Sequence, residues 1–147
     1  MSTYHTEISS CWAPGDAFDH LARFSNAAKW DPGVVEAEDV AGGPPGQGST
    51  YRLVVGVLGR RVPLEYRIVE IDRPRRVLLQ AQNATIRSSD LIEVSPAPGG
   101  GATVTYAATL SAKGPALLLA PLLALGLRRI GNRAAAGLRA ALEVRAG

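Results

Sequence analysis

About seven stretches of the chain alternate apolar and polar residues with a period of two, which is typical of strands that bury one face. In the clearest stretch, Leu64, Tyr66 and Ile68 alternate with Glu65 and Arg67. The predicted strands cover residues 3–12, 34–41, 51–57, 62–68, 77–82, 85–94 and 104–110. Most of the connections between them are short, so the pattern predicts antiparallel pairing.

Residues 14–25 follow the spacing of an amphipathic helix instead. Pro14 suits the start of this helix, because the first helical position leaves its backbone N–H unused in any case. A second short helix is predicted over Asn26–Trp30. Pro32 and Gly33 end it, since proline disfavours a helical conformation in the residue before it and glycine is conformationally permissive.

From Gly114 onward the pattern changes to that of one long helix. An apolar stripe runs along it, formed by Leu123, Leu127, Ile130, Ala134, Leu138, Ala141 and Leu142. Its first part, residues 117–127, is apolar on all sides but is shorter than the roughly 20 residues that a bilayer-spanning helix needs. Pro121 predicts a kink or a break within this part.

This order of elements predicts an α+β fold, and the length of 147 residues suits one domain. A sheet followed by a single long helix buries one face against that helix. If the sheet curls around the helix, a cavity can remain between them. The loop of residues 42–48, rich in glycine and proline, is long enough to form a flap over such a cavity.

Several short motifs occur in a characteristic order along the chain. They are Ala13-Pro14, Phe24-Ser25-Asn26, Trp30-Asp31-Pro32-Gly33-Val34, Gly48-Ser49-Thr50-Tyr51, Tyr66-Arg67-Ile68-Val69-Glu70-Ile71 with Asp72-Arg73-Pro74, and Val104-Thr105-Tyr106 with Lys113-Gly114-Pro115. In this order the chain resembles the START-like (SRPBCC) superfamily, in its polyketide cyclase/dehydrase and lipid-transport branch. The resemblance covers nearly the whole chain and implies a single START-like domain over residues 1–147.

The resemblance implies a helix-grip fold. In such a fold a curled antiparallel sheet of about seven strands wraps around the long C-terminal helix, and two short helices follow the first strand. It also implies a hydrophobic cavity under the last helix. It implies no particular reaction, because one fold serves many functions.

Charge and cysteine content favour some partners over others. The net charge is +3, and the arginines occur as scattered pairs such as Arg60-Arg61, which favours a solvated surface over a nucleic-acid-binding one. Cys11 is the only cysteine, so an intrachain disulfide is excluded and a reducing cytoplasm is expected. The first residues show no basic and apolar regions of a signal peptide. We therefore expect a cytoplasmic protein that does not bind nucleic acid.

Few side chains offer catalytic or metal-binding chemistry. His5 and His20 are the only histidines, and no further ligand has metal-binding spacing, so neither a metal nor a cofactor is expected. Asp90 is the candidate catalytic residue. If Ile92 points inward, period two places Asp90 on the same face, where its carboxylate would fix a ligand hydroxyl or act as a base with a raised pKa. The alternative is a β-bulge that turns Asp90 to solvent.

The inward phases of the strands predict which side chains line the cavity. They are Trp30, Tyr51, Leu53, Leu64, Tyr66, Tyr106, Leu110 and Leu122. Each tyrosine hydroxyl either finds a partner within the protein or orients an oxygen atom of a ligand. Trp30 is either a core anchor of the helical corner or part of the cavity wall.

Three functions fit these observations. The first is binding of a small hydrophobic molecule such as a lipid, an isoprenoid or an aromatic polyketide. The second is a polyketide cyclase/aromatase-type enzyme, which needs a general acid or base and donors for an enolate-like oxygen. Converging Asp, Arg and Tyr side chains would favour the enzyme, and an all-apolar wall would favour the carrier. The third is a factor that contacts a membrane periphery or a partner through the leucine-rich segment 117–127, which Lys113 and Arg128 flank.

Overall fold

One antiparallel sheet forms the frame of the molecule. The structure, a computed structural model, describes residues 2–31, 34–40, 42–43, 45–57, 59–83, 86–113 and 132–140. Within these ranges there are seven strands, namely β1 (Ser2–Ser10), β2 (Val34–Asp39), β3 (Thr50–Val57), β4 (Arg60–Asp72), β5 (Arg76–Gln82), β6 (Ile86–Pro96) and β7 (Ala102–Ala112). Their spatial order is β1-β7-β6-β5-β4-β3-β2, and every neighbouring pair is antiparallel. The predicted sheet is therefore confirmed.

Short helices link the two edges of this sheet. They are α1 (Pro14–Ala22), a 3-10 helix (Phe24–Asn26) and α2 (Ala27–Trp30). Because β1 and β2 lie at opposite edges, this segment has to cross the sheet from one side to the other. Along the way α1 packs against β6 and β7, the 3-10 helix against β2 and β3, and α2 against β2. The crossing leaves one face of the sheet covered by helices.

The alternation of the sequence decides which side chains lie under the helices. In β4, Leu64, Tyr66 and Ile68 are buried, whereas Glu65 and Arg67 are exposed. The same alternation holds along β5 and β6. Two register shifts, one opposite β3 at the start of β2 and one opposite β5 late in β4, bend the sheet. The covered face is the inner, concave one.

Helix α1 forms where its periodicity predicts it. Ala17, Phe18, Leu21 and Ala22 are all buried in the core that they share with the strands. The helix begins at Pro14, which needs no hydrogen-bond acceptor at that position. Its other face carries Asp16, Asp19 and His20, none of which is buried. Burial of the apolar stripe therefore fixes α1 on the inner face of the sheet.

A last helix, α3, covers residues 132–140 and packs onto the same core. Ala134, Ala135 and Leu138 are buried, and the Tyr4 hydroxyl donates a hydrogen bond of 2.9 Å to the Asn132 side chain. The rest of the predicted long helix, including Pro121, Leu122 and the segment 117–127, lies outside the described residues. The packing of α3 is thus confirmed, and the length of the helix stays a prediction.

Removing the Leu138 side chain tests how α3 is held. Leu138 is 1% exposed, so Leu138→Ala deletes apolar contacts and leaves a cavity. We expect the free energy of unfolding to fall by about 2–5 kcal/mol in chemical denaturation. The matched variant Arg139→Ala changes an exposed neighbour on the same helix and should alter it by less than about 0.5 kcal/mol. A loss below about 1 kcal/mol for Leu138→Ala would contradict the packing of α3 on the core.

Candidate functional site

A carboxylate is buried on the inner face of the sheet, among apolar side chains. Asp90 is 4% exposed, and among the described residues no other acidic or basic side chain is buried. Along β6 the buried positions are Ile86, Ser88, Asp90, Ile92 and Val94, in unbroken alternation. The pairing of β6 with β5 and β7 has no register shift. Asp90 therefore points inward, and the alternative of a bulge that turns it to solvent is excluded.

The residues paired directly with Asp90 across the sheet are apolar. The residues directly opposite Asp90 are Leu79 on β5 and Ala108 on β7. Both of Asp90's hydrogen-bonding partners are instead hydroxyls on its own face. The Tyr106 hydroxyl donates to Oδ2 in a short contact, and Ser88 Oγ donates to Oδ1 at 3.4 Å. The buried carboxylate is therefore paired, as a buried charge has to be.

A third hydroxyl extends this cluster across the sheet. Tyr66 Oη lies 2.8 Å from Ser88 Oγ, so the side chain of Tyr66 on β4 reaches over β5 to β6. Arg67 pairs with Gln80, which places Tyr66 beside Ala81, and Ala81 pairs with Ser88. The short side chain of Ala81 accommodates the phenol ring above it. Tyr66, Ser88, Asp90 and Tyr106 thus form one continuous row, which we call the hydroxyl–carboxyl row.

Burial controls the ionisation of this row. It raises the pKa of the Asp90 carboxyl from 3.8 to about 7, and the negative charge of Asp31 adds to the rise, while the hydrogen bonds from Tyr106 and Ser88 lower it. Burial also raises the pKa of Tyr66 and Tyr106 well above 10, and the nearby Asp90 charge acts in the same direction. Both tyrosines therefore keep their protons at neutral pH, and Asp90 is the group in the row that can gain or lose one there.

The helical corner covers the two tyrosines of the row with aromatic rings. Trp30 packs edge-on against Tyr106 with ring centroids 5.7 Å apart, and Phe24 does the same against Tyr66 at 4.9 Å. Trp30 is 3% exposed, yet its indole N–H has no hydrogen-bond acceptor among the described residues. A buried N–H without an acceptor is rare in proteins, and here it belongs to the ring that packs against Tyr106.

The other predicted cavity residues lie on the same inner face but outside the row. Tyr51, Leu53 and Leu64 are buried, with Tyr51 opposite Tyr66 and Leu53 opposite Leu64 across the β3–β4 pair. Leu110 is half-buried and faces Ser88 across the β6–β7 pair. Leu122 lies outside the described residues. Whether these side chains contact a ligand stays a prediction.

Two residues that act on this region were not singled out by sequence reasoning. Asp31, which the sequence offered only as part of the Trp30–Val34 motif, is close enough for its charge to raise the pKa of Asp90. Arg23 donates a hydrogen bond of 2.9 Å to the Gly43 carbonyl and lies 3.6 Å from the Asp39 carboxylate, whose other oxygen accepts from the Gly42 N–H. The spacing of charged residues along the sequence does not predict either interaction, because both form only when the chain crosses the sheet.

Arg23 also lines a surface depression next to the predicted flap. This depression measures about 400 Å³, and its other lining residues are Phe18, Asp19, Pro45 and Arg73. An Arg73–Asp19 ion pair bridges α1 to the turn between β4 and β5 at its rim. Arg23, the residue that follows α1, therefore holds the start of the loop 42–48, for which the sequence predicts a flap over a cavity.

Neither a metal centre nor a membrane span is found in the part of the chain that the structure describes. It contains no group of three or more His, Cys, Asp or Glu side chains placed to hold a metal ion. Nor does it contain a helix that is long and apolar enough to cross a membrane. On the described inner face, the hydroxyl–carboxyl row is the cluster of side chains that can exchange a proton near neutral pH.

A family model described as "Polyketide cyclase / dehydrase and lipid transport" matches residues 1–143. The chain belongs to this polyketide cyclase/dehydrase family. The resemblance drawn from the sequence motifs is therefore confirmed. No curated protein matches the chain. The family and its fold are of a kind that binds hydrophobic ligands.

Solved structures share the fold of this polyketide cyclase/dehydrase family member. A START superfamily protein of Mycobacterium smegmatis superposes with a TM-score of 0.75 at 13% identity, over 95% of this chain and 94% of that one. A protein of Thermus thermophilus gives 0.76 at 18% identity, over 95% and 96%. A Streptomyces aromatase/cyclase, Zhui, gives 0.76 at 13% identity, over 95% and 93%. At these identities the likeness shows the fold alone.

The raised pKa of Asp90 predicts how stability depends on pH. A carboxyl whose pKa is higher in the folded than in the unfolded chain binds more protons when folded, so the free energy of unfolding falls as the pH rises from about 4 to about 7. For a shift from 3.8 to about 7 this loss is up to about 4 kcal/mol. Chemical denaturation at a series of pH values should show this decline in the wild type and not in Asp90→Asn.

The control for this experiment is Asp16→Asn, which replaces an exposed carboxylate on α1. It should keep the wild-type decline. Asp19 affects stability in a different pH range, because its hydrogen bond to Arg73 lowers its pKa. Its contribution to the free energy of unfolding is lost only as the pH falls below about 4. If wild type and Asp90→Asn showed the same pH dependence between about pH 4 and pH 7, the buried carboxylate would not carry the effect.

Proposed function

We propose that this protein binds a small hydrophobic molecule, such as a lipid, an isoprenoid or an aromatic polyketide, in the cytoplasm. The ligand lies between the inner face of the sheet and a long C-terminal helix that ends in α3. The observation that carries the proposal is the composition of the inner face, where large buried apolar side chains surround one polar row and an unpaired indole N–H. An apolar surface with a few placed polar groups is what small-molecule sites have in common.

The inner face supports both parts of such a ligand. Leu53 and Leu64, with Leu110 and Leu122 as further predicted contacts, offer apolar surface for its body. Tyr51, Tyr66, Tyr106 and Trp30 offer hydroxyl and indole groups for its polar end. Burial of about 300 Å² of apolar ligand surface contributes about 7.5 kcal/mol before the cost of association is subtracted. We therefore expect affinities in the micromolar range.

A cyclase/aromatase-type reaction on such a ligand is the second candidate, and one observation favours it. Asp90 has a pKa of about 7, so it can both accept and donate a proton near neutral pH, as a general acid–base catalyst must. The neighbouring Tyr66 and Tyr106 keep their protons and can donate hydrogen bonds to an enolate-like oxygen. Among the described residues, no arginine is buried beside them. The described part of the inner face thus contains no converging arginine of the kind that would favour the enzyme over the carrier.

Fluorescence titration tests the binding proposal directly. Trp12→Phe leaves Trp30 as the one tryptophan, so a ligand on the inner face should quench or shift its emission. We expect saturable changes with fluorenone and with palmitate. Both should also raise the melting temperature, because a ligand that binds only the folded state stabilises it by mass action. Mass spectrometry of protein purified under native conditions should identify the molecule that the cell supplies.

The double variant Trp12→Phe/Trp30→Phe is the control for the origin of the signal. It should lose the fluorescence response to fluorenone, while a rise in melting temperature persists. If neither probe changed the emission of Trp30 or the melting temperature at concentrations near their solubility limits, the binding proposal would fail.

A further inference from the structure

The hydroxyl–carboxyl row contains few hydrogens, and they can be counted. Each hydroxyl carries one hydrogen to donate, and an ionised carboxylate only accepts. With Asp90 ionised, Tyr106 donates to Oδ2 and Ser88 donates to Oδ1. The Ser88 hydrogen is then used, so the 2.8 Å contact between Tyr66 and Ser88 has to be a donation from Tyr66. In this state every hydrogen of the row points toward Asp90.

Protonation of Asp90 on Oδ1 reverses the direction of two hydrogen bonds in the row. The new O–H donates to Ser88 Oγ, and the Ser88 hydrogen turns to Tyr66 Oη over the same contacts. The Tyr66 hydrogen is then released from Ser88 and has to find another acceptor. Among the described residues Tyr66 has no other hydrogen-bond partner, and it is 5% exposed. A buried donor without an acceptor is unfavourable, so this state favours an acceptor supplied by a ligand.

A second donor in contact with the row has the same need. The indole N–H of Trp30 is buried without an acceptor, and its ring packs against Tyr106. When Asp90 is protonated, the Tyr66 hydroxyl and the Trp30 indole N–H are thus two buried donors without acceptors, which favours a ligand whose polar end accepts hydrogen bonds. A carbonyl oxygen accepts two and donates none.

We propose that the ligand is an apolar ketone or quinone whose carbonyl oxygen accepts a hydrogen bond from Tyr66, and that its binding is coupled through Ser88 to uptake of one proton by Asp90. This inference rests on the proposed function and names the polar end of its ligand. The proton comes from solvent and forms the O–H bond on Oδ1, and no bond of the ligand forms or breaks. Trp30 supplies a second donor to the same polar end.

The surroundings of Asp90 allow this coupling at neutral pH. Tyr66 faces it from β4, Ser88 from its own strand and Tyr106 from β7, while the charge of Asp31 acts on it from beyond α2. The buried residues of α1 and of α3 are apolar, so these helices place no charge against it. Because its pKa is about 7, Asp90 takes up a proton near pH 7 without a large energetic penalty.

Calorimetric titration with fluorene and fluorenone tests the inference. The two molecules share one ring system and differ by the carbonyl oxygen. We expect the affinity for fluorenone to fall about tenfold per pH unit above about pH 7, because binding then requires a proton that the solvent supplies less readily. The affinity for fluorene should stay constant over the same range. Titration of fluorenone in two buffers of different ionisation enthalpy should show uptake of up to one proton above about pH 7.

Three variants distinguish the coupling of fluorenone binding to proton uptake from a general effect on ligand affinity. Ser88→Ala breaks the connection between Asp90 and Tyr66, so fluorenone should bind with a pH-independent affinity. Asp90→Asn presents an amide N–H to Ser88 at every pH, so it should bind fluorenone as the wild type does at low pH. Tyr66→Phe lacks the coupled donor, so it should bind fluorenone with a pH-independent affinity that is weaker than that of the wild type at low pH. Tyr4→Phe, on β1, is the matched control and should keep the wild-type profile.

The outcomes distinguish this inference from the proposed function. Binding of both molecules with pH-independent affinities in the wild type would overturn the coupling and leave the proposed function standing. A fluorenone pH profile that persists in Ser88→Ala would also overturn it. Binding of neither molecule would overturn the proposed function together with the inference. The wild-type profile needs no variant to fold, so the inference stays testable if a substitution prevents folding.

Discussion

The structure depends on one constraint, which is that β1 and β2 form opposite edges of the same sheet. The segment that joins them has to cross the full width of the sheet, and it does so as α1, the 3-10 helix and α2. A helix that crosses a sheet buries its apolar stripe against it, so Phe18 and Leu21 of α1 share a core with the strands. The same crossing brings Phe24 and Trp30 onto the side chains of the central strands. This connection therefore covers the inner face of the sheet.

The covering of the inner face is what raises the pKa of the Asp90 carboxyl. On an open sheet face it would be solvated and ionised, with an ordinary pKa. Beneath the helical corner it is removed from water, and the hydroxyls of Tyr106 and Ser88 compensate only part of the lost solvation. Ionisation of Asp90 as the pH rises toward neutral therefore lowers the stability of the fold. A side chain that lowers stability at the centre of a covered face is more easily explained by a function than by packing.

The two aromatic contacts connect the fold to this chemistry. Phe24 packs against the ring of Tyr66 and Trp30 packs against the ring of Tyr106, so each tyrosine of the row is positioned by a helical residue on one side and by its strand on the other. Rigid placement matters because a hydrogen bond weakens steeply with misalignment. The site is thus assembled from four strands and the crossing segment, and no single element contains it.

The sequence by itself determined the elements of this protein and the face on which each side chain lies. Period-two alternation placed Leu64, Tyr66 and Ile68 on one side of β4, and helical spacing marked the buried stripe of α1, because both patterns are local consequences of backbone geometry. Motif order was enough to indicate the family. Whether Asp90 faced inward could not be decided, because a single bulge anywhere along β6 would have reversed its side.

Only the tertiary structure decided which residues meet. The contact between Tyr66 and Ser88 depends on the register of two strand pairs and on the small Ala81 between them. The influence of Asp31 on Asp90 depends on the chain returning over the sheet after α2. Such contacts join positions that are far apart in the sequence, and no local pattern encodes them. The sequence therefore determined a covered sheet with polar residues on its inner face, and the packing of distant segments decided that these residues form one hydrogen-bonded row.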